Sequence, residues 1–115
     1  MWAAATAAGG VGELPIIKHI VMWDVLGRSA EERAGNIDRI RTAFEGMRGK
    51  IPGLTHLEIG VDTSRIDYAC DVVLYTEFSS QDACEIYASH PEHLRVRAEI
   101  EGLRIARHQV DYAVG

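Results

Sequence analysis

Tyr87, His90 and His93 fall within a single stretch, YASHPEH, with Pro91 between the two imidazoles. Histidine titrates near neutral pH, so it can take a proton from a carbon next to a carbonyl with little tuning. A tyrosine hydroxyl close by can donate to the carbonyl or enolate oxygen that results. If Pro91 is the first residue of a helix, His93 is the third, beside the partly positive helix end, which disfavours imidazolium and keeps the ring a neutral base. His90 then sits at the cap. His19 shares one side of an N-terminal strand with Val21 and Trp23, the side assigned here to a barrel interior, so His19, Tyr87 and His93 can meet at one apolar cavity walled by Trp23. The competing reading of the stretch is a join between two helices. In it Tyr87 continues the buried stripe of Ala83 and Ile86, and both histidines are satisfied structural groups.

Other chemistries are less well served. His90 and His93 are three residues apart, but Pro91 breaks the helical face and no carboxylate completes a known triad, so no metal is expected. No cofactor is expected either. Cys70 and Cys84 have no CxxC or Cys/His spacing, and neither has a base beside it in sequence, so both read as reduced, structural thiols. Asp71 and Glu77 are expected to pair across the sheet with Lys18 or Arg107. His56 and His108 lie on other strands, outside the site.

The elements that must position these groups are readable in order. PIIKHIVMWDVL is β-branched and aromatic, a strand with Ile17, Val21, Trp23 and Val25 on one face and Ile16, Ile20, Met22 and Leu26 on the other. Both faces need cover, and helices can cover only one face of a small sheet, so the second face calls for another sheet, as in a second copy of the chain. SAEE, Ser29 to Glu32, is a capping box. Ile37, Ile40, Phe44, Met47 and Ile51 then form one stripe of a long helix that Pro52 and Gly53 end. LTHLEIGV is a second strand, Tyr68 to Phe78 a third, and SSQDACEIYAS a short helix. Pro91 opens another helix, running to Gly102 or Leu103, before a last strand, RIARHQVDYAV. This β-α-β-β-α-α-β order is the ferredoxin-like, split βαβ pattern of an α+β fold.

A chain of 115 residues fits one domain, taken as residues 15–115, behind an Ala/Gly-rich leader, residues 1–14, read as a flexible tail. That leader lacks the basic and apolar regions of a signal peptide. A net charge of −5, with no Lys/Arg run, disfavours nucleic acid and anionic membrane as partners. No apolar run spans a bilayer, which together with the free thiols points to the cytoplasm.

With these elements in order, the chain resembles the stress-responsive A/B barrel (Dabb) family. Its members open with a strand like IKHIVMWDV, carry a helix ending in KIPG and a strand like YACDVVLYTEF, place YxxHPxH after a short helix, and close on a strand like HQVDYAV. The resemblance implies a ferredoxin-like subunit whose sheet packs against that of a second subunit, a homodimeric α+β barrel. Members include plant stress-associated assembly proteins and one plant enzyme, olivetolic acid cyclase, which closes a linear polyketide thioester by an aldol reaction. By that similarity Tyr87 and His93 match a phenol and a catalytic histidine, and His19 matches a pocket histidine. Val72 stands where the cyclase has a further pocket histidine, so the resemblance does not extend to its substrate. The expectation is a homodimer binding a small apolar carbonyl compound with His19, Trp23 and Val72. If catalytic, it does proton-transfer, lyase or cyclase chemistry with His93 as base and Tyr87 as donor. The alternative is a non-catalytic stress or assembly protein.

Overall fold

The computed structural model describes residues 15–115. Seven elements follow in the expected order: β1 (Ile16–Val25), α1 (Ala30–Glu45), β2 (Leu54–Val61), β3 (Val72–Phe78), α2 (Gln81–Tyr87), α3 (Pro91–Glu99) and β4 (Arg104–Val114). The strands make one antiparallel sheet in the order β2-β3-β1-β4, with β3 inserted between β1 and β2. This is the ferredoxin-like arrangement. The expected tail lies outside the described residues.

β1 alternates strictly. Ile17, His19, Val21, Trp23 and Val25 are buried. They pack with Ile40 and Phe44 of α1, Tyr87 of α2 and Val96 of α3 in one core, with Trp23 stacked on Phe44 at 5.7 Å. The helices therefore cover the His19–Trp23 side. That side is the interior of a single subunit, not the face left for a second sheet, so the assignment of His19 to the barrel interior is corrected. The opposite face carries exposed Ile16, Met22, Val110 and Tyr112, the uncovered apolar side that β1 alone announces.

Element ends differ from expectation where glycine or a side-chain bond intervenes. Met47 and Ile51 are buried as the stripe requires, but α1 stops at Glu45, and successive turns through Gly49 at φ +80 carry those two residues inward. A three-to-four residue spacing does not distinguish turns from helix. α3 likewise ends at Glu99, ahead of Gly102 at φ +82. β3 begins at Val72, not Tyr68, which is 87% exposed. Just before it, the Asp71 carboxylate accepts from the Val25 N–H at 2.8 Å and from the Arg65 guanidinium at 2.8 Å. The expected Asp71 pairing with Lys18 or Arg107 is thus replaced. Glu77 accepts from the Tyr75 hydroxyl at 2.6 Å.

No helix among the described residues is long and apolar enough to cross a membrane.

Candidate functional site

Three elements aim side chains at one place. Ser80 caps α2, its hydroxyl accepting from the Ala83 N–H at 3.1 Å, and seven residues later the helix ends on Tyr87. His90 is extended, and its Nδ1 accepts from the Glu92 N–H at 3.0 Å, so it caps α3 while Pro91 takes the first position, which needs no donor. His93 is thereby turned back onto Tyr87, with ring centroids 4.3 Å apart. From the sheet, His19 meets Tyr87 edge-on at 5.8 Å and Phe78 at 6.2 Å. The structure thus brings His19, Tyr87 and His93 together.

The protonation of each group follows from its partners. His93 Nδ1 lies 3.0 Å from the Ala88 carbonyl oxygen. A carbonyl only accepts, so Nδ1 carries the proton and Nε2 keeps its lone pair. Burial pushes the His93 pKa down, the Ala88 carbonyl raises it, and the charges of Arg97, His19 and Arg107 lower it further. The ring stays neutral as expected, with burial as the main cause instead of the helix end. Tyr87 is 2% exposed and its hydroxyl has no hydrogen-bond partner among the described residues. Burial holds that hydroxyl protonated far above the ordinary range, against the opposing charges of Arg107 and Arg104. His19 donates from Nδ1 to the Asp111 carboxylate at 2.6 Å, which orients the imidazole.

Trp23 and Val72 are less alike than their expected roles. Trp23 lines an open cleft of about 590 Å³ with Leu94, Ala98, Arg97, Arg104 and Arg107, and the Arg104 guanidinium lies over its ring at 4.9 Å. Val72 sits opposite Trp23 in the sheet but is fully packed. It borders a separate hollow with Met22, Val73 and His108 instead. His56 is engaged by Glu58 at 2.7 Å on β2.

Sequence reasoning missed Asp111 and Cys84. Cys84 has neighbours after all: ligand atoms of His19, Cys84 and Asp111 lie within 4.8 Å of one another. Burial pushes the thiol up to about 11, so at neutral pH it is protonated and no ready nucleophile. Only pairing β4 with β1 puts residue 111 opposite residue 19, a register that spacing alone does not reveal.

Residues 17–114 match the stress responsive A/B barrel domain. The chain belongs to the Dabb family. No curated protein sequence matches it. Among solved structures of similar fold, a dimeric ferredoxin-like protein of unknown function from Bacteroides fragilis is 27% identical, with 85% of this chain and 95% of that chain covered and a TM-score of 0.75. A second dimeric ferredoxin-like protein of unknown function, from Thermobifida fusca, is 21% identical over 88% of this chain and 92% of that one, again with a TM-score of 0.75. The hydroxynitrile lyase of Passiflora edulis is 15% identical, with 87% and 94% covered and a TM-score of 0.72. These neighbours share the ferredoxin-like fold of this Dabb subunit, and two of them are dimers.

Proposed function

We propose that this Dabb protein is a homodimer that binds a small carbonyl compound beside Tyr87 and His93 and catalyses proton transfer next to the carbonyl. The observation that carries this reading is a buried, unpartnered Tyr87 hydroxyl next to an imidazole whose Nε2 is left basic by the Ala88 carbonyl. Native interiors leave few polar groups unpaired, and such a group is suited to receive a ligand oxygen. His93 Nε2 takes the proton from the carbon, the electron pair moves onto the carbonyl oxygen, and Tyr87 donates a hydrogen bond to the resulting enolate. His19, held by Asp111, packs edge-on with the Tyr87 ring and helps fix its place. A Dabb-like fold that carries a hydroxynitrile lyase in one neighbour is compatible with lyase or cyclase chemistry as the overall reaction. Two free thiols, Cys70 and Cys84, suit a cytoplasmic setting.

The test is His93→Ala, compared with wild type in α-proton exchange of aryl and alkyl β-keto compounds in deuterated water, alongside thermal melts. Exchange should fall about a hundredfold or more, with the melt nearly unchanged. If wild type neither binds nor exchanges any compound of the panel, and the variant is destabilised by about 1–3 kcal/mol as expected for an unsatisfied buried partner, the helix-junction role replaces catalysis.

A further inference from the structure

β4 is not a regular strand. Its register with β1 runs Ile17↔Ala113, His19↔Asp111, Val21↔Gln109 and Met22↔His108, then shifts to Asp24↔Ile105 and Val25↔Arg104. Two residues, Ala106 and Arg107, therefore oppose the single Trp23, which makes a β-bulge. Ala106 is held at φ +53, a left-handed conformation that disfavours any residue with a Cβ. Bulges re-aim side chains, and backbone strain of this kind persists where the surroundings enforce it.

What the bulge re-aims is charge. Arg104 and Arg107 are three residues apart and would point to opposite faces of an unbroken strand. With the extra residue, Arg104 lies opposite buried Val25, and Arg107 precedes His108 of the open face, so both belong to the helix-covered side. There they line the cleft with Trp23, and Arg97 of α3 joins them from the other wall. Among the described residues none of the three makes an ion pair; Arg107 donates to the Gln109 side chain. Arg104 Nε is buried with no partner, and with the Tyr87 hydroxyl it completes the set of such side-chain atoms among the described residues. Tyr87 and His93 do not themselves line this cleft; they adjoin it through Leu94, the residue after His93, and the charge of Arg107 acts to lower the pKa of both. One carboxylate, exposed Glu101, also lines the cleft, leaving an excess of positive charge. Leu94, Ala98 and the Trp23 ring supply the apolar part of the wall.

We infer that the ligand of this site is a carboxylate, a keto acid whose carboxyl group is held by Arg104, Arg107 and Arg97 while its apolar chain lies on Trp23, Leu94 and Ala98. Three guanidiniums without anions are like charges brought together at some expense in free energy, and an anion removes that repulsion. Arginine binds a carboxylate in bidentate fashion through its planar fork. The inference rests on the proposed carbonyl chemistry at Tyr87 and His93 for the placement of the keto group, and on the arginine cluster alone for the carboxylate.

The experiment is calorimetric titration of the full chain with three matched probes: 3-oxooctanoate, its methyl ester, and octanoate, which lacks the ketone. Wild type should bind the keto acid at least tenfold more tightly than the ester. That preference should vanish in Arg107→Gln, which alters an exposed residue, and in Arg104→Gln, while ester binding stays as in wild type. Because Arg104 stacks on Trp23, loss of folding in Arg104→Gln leaves Arg107→Gln and Arg97→Gln to decide. Equal binding of acid and ester, or binding of neither, overturns the carboxylate assignment, as does inorganic phosphate displacing the keto acid at a lower concentration than the acid itself needs to bind. Octanoate binding as tightly as the keto acid, with no exchange catalysed on any keto compound, keeps the anion site and sinks the carbonyl chemistry. Exchange of acid and ester at equal rates and affinities does the reverse.

Discussion

His93 keeps a basic nitrogen because a backbone carbonyl holds its other proton in place, and it keeps that nitrogen unprotonated because the ring is half-buried. The same burial makes folding sensitive to acid. The ordinary histidine value is 6.5 and the folded value lies below it. As pH falls through 6.5 the unfolded chain therefore binds a proton that the folded chain refuses, and stability is lost until the pH passes the folded value. In melts between pH 7 and pH 5, wild type should lose more of its melting temperature than His93→Gln does. Equal losses would show that the ring is as well solvated folded as unfolded. Tyr87 and His93 could be picked out from sequence because a proline between two histidines dictates where a helix starts, and three residues then determine what faces back toward the preceding helix. Asp111 and Arg104 could not, because they enter through strand pairing and a bulge, and Cys84, on α2 just ahead of Tyr87, meets His19 and Asp111 only once that helix packs on the sheet.

At the scale of elements, order and type were legible throughout, since β2 and β4 occupy the stretches that their alternation predicts and Ser29 caps α1 through the Glu32 N–H at 3.0 Å. The carboxylate of Glu32 reaches the Arg28 N–H at 2.7 Å, one residue earlier than a capping box implies. Ends were less legible. Pro52 and Gly53 were read as stopping the first helix, whereas they join its trailing turns to β2. Gly53 has φ +82, and a Cβ built there would stand 2.5 Å from the Ala83 Cβ on α2. The left-handed conformation alone costs an L-residue roughly 1–2 kcal/mol, and the contact with α2 adds to it. Gly53→Ala should therefore lower the melting temperature by on the order of 5 °C or more. It should also disturb α2, which carries Tyr87, so near-ultraviolet signals of the tyrosines should change with it. An unshifted melt would mean that α2 yields freely to the added methyl group. The bulge at Ala106 had no sequence signal, because alanine is not the residue that such a conformation selects.

For the whole molecule, the decisive quantity is the apolar surface left on the open face of the sheet. Ile16 is 42% exposed, Val110 50% and Tyr112 38%, all on the side away from the helices, and Ile20 lies between Val110 and Tyr75 at the middle of the sheet. Lys18 and Glu77 share this face, but so much exposed apolar surface on one side of a sheet is unusual on a monomer, and sheets pack face to face about 10 Å apart when each offers such a side. The dimeric neighbours with the same fold point to a second copy as the cover. The interface should be of the obligate kind, above about 2,000 Å² in total, so light scattering at micromolar concentration should give twice the chain mass, and the melting temperature should rise with concentration. Val110→Glu puts a carboxylate on that face without touching the core beneath β1. Burying it unpaired between two sheets would be strongly unfavourable, so the variant should run as a monomer or melt at a much lower temperature. Wild type running as a monomer would remove the homodimer outright. Wild-type mass retained in Val110→Glu would place the contact on another surface. The arginine-lined cleft, lying on the helix-covered side of each subunit, should then bind the keto-acid probe whether or not the second sheet is present.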